Sequence, residues 1–267
     1  MPQNKRLLMA GSILIYLLFQ LCQPPAFACE LLDWSSTEGS KRLSSASLKQ
    51  DLFKLAPQFE GQSNKTFCGV TSMVIVANAL RVSPNGTSIP LDSSRLGPDE
   101  SRYFPKGVSP LFHRYTQESI LEGSDKTRAQ ILGEPKVKGG ESDYGMQLSE
   151  ITSLAKRLAF TAKPTYVQPE KLDDANYLLS VKQALKQALK RDESYVIINY
   201  SRSALNQAGS GHFSPLAAFD RGSDSFLIMD VSNTYQTWVW VSSKRLINAM
   251  ATLDIDKPRG FVEISQS

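Results

Sequence analysis

The chain has 267 residues, 41% of them hydrophobic, and a formal charge of +4. That is the composition of an ordinary folded domain, and with its charges spread along the chain it excludes a dense basic stripe for nucleic acid. Three cysteines are too few for a disulfide framework, and no pair of histidines or thiols has the spacing of zinc ligands.

In chain order, Lys5 and Arg6 precede an apolar stretch from Leu7 to Leu21, followed by Pro24, Pro25 and the small-residue site Ala26-Phe27-Ala28. This is the layout of a secretory signal peptide, residues 1–28, with cleavage predicted after Ala28 and a secreted or periplasmic destination. The apolar run is shorter than the ~20 residues that span a bilayer, so an uncleaved anchor is the weaker reading. Lipidation at Cys29 is weaker still, because Ala26 and Phe27 fit a lipoprotein site poorly. Cleavage removes two cations and no acid, taking the charge from +4 to +2. Cys22 leaves with the signal, and Cys29 becomes the first mature residue, where chains are commonly mobile. No stable bridge from Cys29 to Cys68 is therefore expected, and a lone internal cysteine points to reactivity.

Residues 29–49 form a lead-in, rich in serine and charge over 35–47, and residues 50–267 the main domain. Leu48, Leu52, Phe53 and Leu55 predict a short amphipathic helix ending before Pro57. In Gln62-Ser-Asn-Lys-Thr-Phe67-Cys68-Gly69, Cys68 opens an apolar helix that ends near Arg81, closed by the turn Ser83-Pro84-Asn85-Gly86. Residues to about Gly145 are loop-rich, with a short helix predicted at Tyr115 to Ser119. His113 reads as a surface or satisfied polar residue. Leu148, Ile151, Leu154, Ala155 and Leu158 lie on one helical face. Another helix is predicted from about Leu178 to Arg191.

After Asp192-Glu193 the pattern changes to strands at Tyr195 to Tyr200, His212 to Phe219, Phe226 to Val231 and Trp238 to Val241. A mainly helical N-terminal half and an antiparallel C-terminal sheet make the class α+β. A thiol at a helix start feels the positive end of the macrodipole and unsatisfied N–H groups, both of which favour the thiolate. His212 opens one strand and Asp230 ends the next, so a turn near Gly222 would bring them together. An aspartate on one ring nitrogen leaves the other to take the thiol proton.

The order Cys68, His212, Asp230 is that of a papain-like cysteine proteinase fold, and the gap of 144 residues from cysteine to histidine falls within the ~130–150 of that pattern. Gln62, six positions before Cys68, stands where such enzymes keep the amide that completes the oxyanion hole with the cysteine N–H.

Beyond these residues, Tyr115-Thr-Gln, Gly145-Met, Asn199-Tyr-Ser-Arg202, Gly211-His-Phe-Ser-Pro, Leu227-Ile-Met-Asp230-Val and Arg259-Gly-Phe-Val resemble the catalytic domain of phytochelatin synthases. The similarity runs from about Gln50 to Ser265, in the short prokaryotic form. It implies attack by Cys68 on the Cys–Gly bond of glutathione, a γ-glutamylcysteinyl thioester, and release of glycine. Hydrolysis to γ-glutamylcysteine is expected to dominate over phytochelatin synthesis. The resemblance also implies that Arg202, Asp254 and Arg259 hold the γ-glutamyl end of the substrate, with charges that suit it, and Gly211, a substrate-binding candidate beside His212, would let a substrate backbone approach closely. No organic cofactor is implied. Activation by heavy-metal ions such as cadmium or zinc, as metal–glutathione thiolates, is a family expectation, and no metal ligands are assigned. A homodimer is left open. This sequence departs from the family at Asn233, where a basic residue is usual, and at Tyr235-Gln-Thr-Trp238, on the acceptor side.

Two competing readings are a bacteriocin-leader-type cysteine peptidase, which shares the Gln and Cys-Gly spacing but keeps its histidine nearer the cysteine, and a non-catalytic periplasmic binder of thiols or metals.

Overall fold

A computed structural model of the chain describes residues 31–81, 89–97, 99–232 and 236–267. The expected signal segment, Cys22 and Cys29, the Ser83 to Gly86 turn, and the departures at Asn233 and Tyr235 lie outside the described residues.

The elements are β1 (Leu32–Asp33), α1 (Thr37–Ser45), α2 (Gln50–Leu55), α3 (Cys68–Leu80), β2 (Leu91–Asp92), β3 (Phe112–His113), α4 (Arg128–Ile131), α5 (Leu148–Arg157), β4 (Phe160–Tyr166) and α6 (Ala175–Ala188). There follow β5 (Ser194–Ser201), β6 (Gly211–Asp220), β7 (Ser225–Ile228), β8 (Val239–Ser242), α7 (Ser243–Met250), β9 (Leu253–Asp254), β10 (Lys257–Pro258) and β11 (Gly260–Gln266). Seven strands form one antiparallel sheet in the order β1-β8-β7-β6-β5-β11-β4. The α+β expectation holds.

Strand alternation splits the core across this sheet. Tyr195 and Ile197 of β5, with Val262 and Ile264 of β11, pack on the side of α2, α3 and α5. Val196, Ile198 and Tyr200 of β5, with Phe261 of β11, pack on the side of α6 and α7. All thirteen residues of α3 are buried, as an apolar pattern running round a whole helix requires. α5 starts at a capping box, with the Gln147 N–H donating to Glu150 Oε2 at 2.8 Å.

Several local expectations change. Part of the lead-in is helix α1, capped by Ser36, whose Oγ accepts from the Gly39 N–H at 3.0 Å. Phe53, assigned to an apolar face, is 60% exposed, whereas Leu52 and Leu55 are buried. Tyr115 to Glu118 is not helical, and the short helix expected to start in this stretch is a 3-10 helix at Ser119–Gly123. β4 and β11 were not expected. Pro164 weakens the strand signal of β4 and is tolerated because β4 lies at the sheet edge. His113 is exposed, and its Nδ1 lies against the Ile89 carbonyl.

Candidate active site

Phe67 is the N-cap of α3 and makes no side-chain cap, so the first-turn N–H groups stay available beside Cys68. Cys68 is buried and free. Burial pushes its thiol up, but the charge and hydrogen bond of His212, with the backbone N–H groups of Phe213 and Gly69, outweigh burial and bring it below the ordinary 9.0.

His212 reaches this sulfur because the β5–β6 register pairs it with Tyr200 at the end of the sheet over which α3 begins. Its Nε2 lies 2.9 Å from Asp230 Oδ1, which leaves Nδ1 for Cys68. Burial pushes the imidazole down, yet the thiolate charge and the bonds to Asp230 and Cys68 hold its pKa above the ordinary 6.5. The β6–β7 hairpin turns at Gly222, as expected, and brings Asp230 back beside His212.

Asp230 is fully buried and every acceptor site is used. Its Oδ1 accepts from Arg202 Nη2 at 2.7 Å and the Ser232 N–H at 2.8 Å, and its Oδ2 from Arg202 Nη2 at 2.7 Å and Tyr200 Oη at 3.4 Å. Burial pushes its carboxyl up, while His212, Arg202 and the Ser232 N–H hold it below 3.8. Arg202 is therefore placed differently from the sequence expectation. Its Nη2 is committed to the Asp230 carboxylate instead of a substrate carboxylate, because β5 ends just before it and the left-handed Gly209 (φ +108°) lets the chain fold over its Cδ. The 3.1 Å approach of Nη2 to His212 Nε2 brings two donors together on one oxygen.

The Gln62 amide is fixed by Nε2 donating to the Asn64 carbonyl at 2.7 Å, with one N–H left over. Its backbone N–H donates to Val231 O at 2.9 Å, tying this loop to the residue after Asp230. Gln117, quoted within Tyr115-Thr-Gln but given no role by the sequence, braces the same loop: its Oε1 accepts from the Ser63 N–H at 2.9 Å and its Nε2 donates to Gly61 O at 3.0 Å.

A cavity of about 160 Å³ opens on Cys68, with Asn199, Gly211, Asp254 and Arg259 on one wall and Lys65, Tyr144, Gly145 and Met146 among its other lining residues. Arg259 Nη2 and Asp254 Oδ1 pair at 3.0 Å, and Asn199 Nδ2 donates to Asp254 Oδ2 at 2.8 Å. Arg259 Nε and Asn199 Oδ1 are buried without hydrogen-bond partners among the described residues. A Cβ on Gly211 would stand 2.8 Å from Arg259 Nη2, so the absent side chain is the room the guanidinium occupies. Gly211, Asp254 and Arg259 thus meet at the cavity, and Arg202 is not among its lining residues.

The Tyr144 wall rests on a lysine that no sequence signal marks. Lys126 is 2% exposed, its Nζ donating to Asp143 O at 2.6 Å and Asp143 Oδ2 at 2.8 Å, with Glu150 Oε2 at 3.8 Å. The Gly145 N–H also donates to Ile131 O at 2.9 Å. Removing one partner of a buried ion pair costs about 3 kcal/mol or more. Lys126→Met is therefore expected to lower Tm by roughly 6–12 °C, and to raise KM more than it lowers kcat. A fall of under 2 °C with unchanged KM would show that the wall stands without Lys126.

The phytochelatin synthase family model matches residues 23–90 and 108–261. The chain is 26% identical over 254 residues to glutathione gamma-glutamylcysteinyltransferase 1 of Lotus japonicus, covering 92% of this chain and 42% of that protein. It is 27% identical over 248 residues to glutathione gamma-glutamylcysteinyltransferase 2 of Arabidopsis thaliana, covering 91% and 45%. The chain thus spans less than half the length of these relatives. Among solved structures, the peptidase domain of Streptococcus ComA, a bifunctional ABC transporter involved in a quorum sensing pathway, aligns at 13% identity with a TM-score of 0.38, covering 79% of this chain and 98% of that one. The segments matched by the family model take in well over half of the sequence, and the chain belongs to the phytochelatin synthase family.

Proposed function

We propose that this protein cleaves the Cys–Gly bond of glutathione through a thioester on Cys68, mainly by hydrolysis. One observation carries the proposal: a thiol held low by His212 opens on a cavity that the Arg259–Asp254 pair also lines. A γ-glutamyl end carries one carboxylate and one ammonium, and a guanidinium beside a carboxylate complements both.

In this reading the Cys68 thiolate attacks the cysteinyl carbonyl carbon. The developing oxyanion accepts from the Cys68 N–H and the remaining Gln62 N–H, donors of the kind worth ~2.7–4 kcal/mol when preorganised. The C–N bond breaks as His212 Nδ1 gives its proton to the glycine nitrogen. Neutral His212 then takes a proton from water, whose oxygen displaces Cys68 and frees γ-glutamylcysteine. A second glutathione amine in place of water yields a phytochelatin, and this branch is proposed to be slow. Arg202 acts through Asp230 as a positioning residue. Metal–glutathione thiolates enter as substrate, and the chain is exported through a cleaved signal peptide.

Brief exposure of the protein to glutathione, acid quenching and mass spectrometry test this reading. A γ-glutamylcysteinyl adduct on the peptide containing Cys68, with free glycine in solution, is the expected result. Glycine release without any adduct-forming cysteine, or an adduct of intact glutathione alone, would overturn it.

A further inference from the structure

A second cavity lies away from Cys68, at the opposite end of α3. Its volume is about 500 Å³, and Gln50, Asp51 and Lys54 of α2, Ala79 and Leu80 of α3, and Asp192, Glu193 and Tyr195 at the start of β5 line it. The thirteen residues of α3 separate it from the nucleophile by about 18 Å at ~1.5 Å per residue.

Three carboxylates and one lysine make this space acidic, and it adjoins the negative end of the α3 dipole. Asp51 is the telling residue. It is 5% exposed, and its Oδ2 is buried without a hydrogen-bond partner among the described residues. Among those residues neither Asp51 nor Asp192 lies within salt-bridge distance of a cation. Burial and the neighbouring Asp192 push the Asp51 carboxyl up to about 8. Tyr195 is raised to about 12 by burial and then by Asp51, Glu193 and Asp192, so its hydroxyl keeps its proton. A buried polar group without a partner is costly, and a ligand that supplies one recovers that cost.

The chemistry selects the ligand class. No group of three histidine, cysteine or carboxylate side chains among the described residues has the geometry of a metal site. Ala79, Leu80 and Tyr195 add buried apolar lining residues beside the buried Asp51 and the exposed Asp192. We propose that this cavity binds a small organic cation, an alkylammonium whose charged head meets Asp51 and whose methylene stem lies on Leu80 and Tyr195.

Calorimetry and thermal melts of the full chain with 1,4-diaminobutane at pH 8.5, against sodium chloride of equal ionic strength and magnesium chloride, provide the test. The expected result is saturable binding and a raised Tm with the diamine alone, weakened at least tenfold in Asp51→Asn and unchanged in Cys68→Ala. Asp192→Asn, at an exposed rim position, is expected to weaken binding by severalfold and keeps the test decisive if Asp51→Asn does not fold. Equal stabilisation by sodium chloride, tighter binding of magnesium, or diamine binding indifferent to both aspartate variants would each overturn the proposal. Cys68→Ala separates this test from the fate of the proposed reaction, because diamine binding is read without turnover.

Discussion

Replacing His212 by alanine is expected to lower kcat for glutathione cleavage by about 10⁶-fold, the scale on which loss of one member of a nucleophile–base pair removes the function of both. The geometry explains why nothing substitutes. Asp230 faces the Nε2 side of the ring, the imidazole stands between it and the sulfur, and Cys68 is buried. Without the imidazole, only the Phe213 and Gly69 N–H groups are left to oppose burial, so the thiol pKa rises from its native position. The pH dependence follows with its sign. In the native protein, activity rises with pH as Cys68 loses its proton below 9.0, and falls as His212 loses its proton above 6.5. In His212→Ala the alkylation of Cys68 by iodoacetamide should shift to higher pH. Alkylation with an unchanged midpoint, or kcat within a hundredfold of wild type, would refute the pairing.

Asp230→Asn is expected to lower kcat by about 10⁴-fold, in line with loss of the carboxylate that fixes a catalytic imidazole. Here the variant should also lose stability. Both oxygens of Asp230 only accept, and Arg202 Nη2 stands 2.7 Å from each. An amide nitrogen at the Oδ2 position would face that guanidinium, donor against donor. At the Oδ1 position it would meet His212, Arg202 and the Ser232 N–H together. Leaving Arg202 buried at 6% exposure without its counter-charge costs about 3–5 kcal/mol. The pH arm again has a definite sign. Because the folded carboxyl lies below 3.8, its contribution is present above the unfolded pKa and disappears as pH falls through the folded value. Wild type and Asp230→Asn should therefore converge in Tm in strong acid and diverge towards neutrality. A constant difference across pH would show that the carboxylate charge is not what stabilises the site.

Much of the site was legible because it rests on local signals. Cys68 after a polar loop and before Val70 to Leu80 marks a buried helix start, and a hairpin between two apolar runs brings His212 to Asp230. What escaped reading depends on partners distant in sequence. Arg202 has the charge of a substrate clamp, and only the β5–β6 register reveals that its nearest anion is Asp230. Lys126 looks like any loop lysine until Asp143 and Glu150 close over it. β11 is central only because it pairs with β5 on one side and β4 on the other, a fact that no property of 260–266 alone encodes.

The contact of Gly211 with Arg259 joins two positions far apart in the chain into one unit of inheritance. A side chain at 211 requires the Arg259 guanidinium to shift from its place beside Asp254, and a shorter side chain at 259 leaves room beside 211. Lineages or directed libraries that change one of these two codons should therefore tend to change the other.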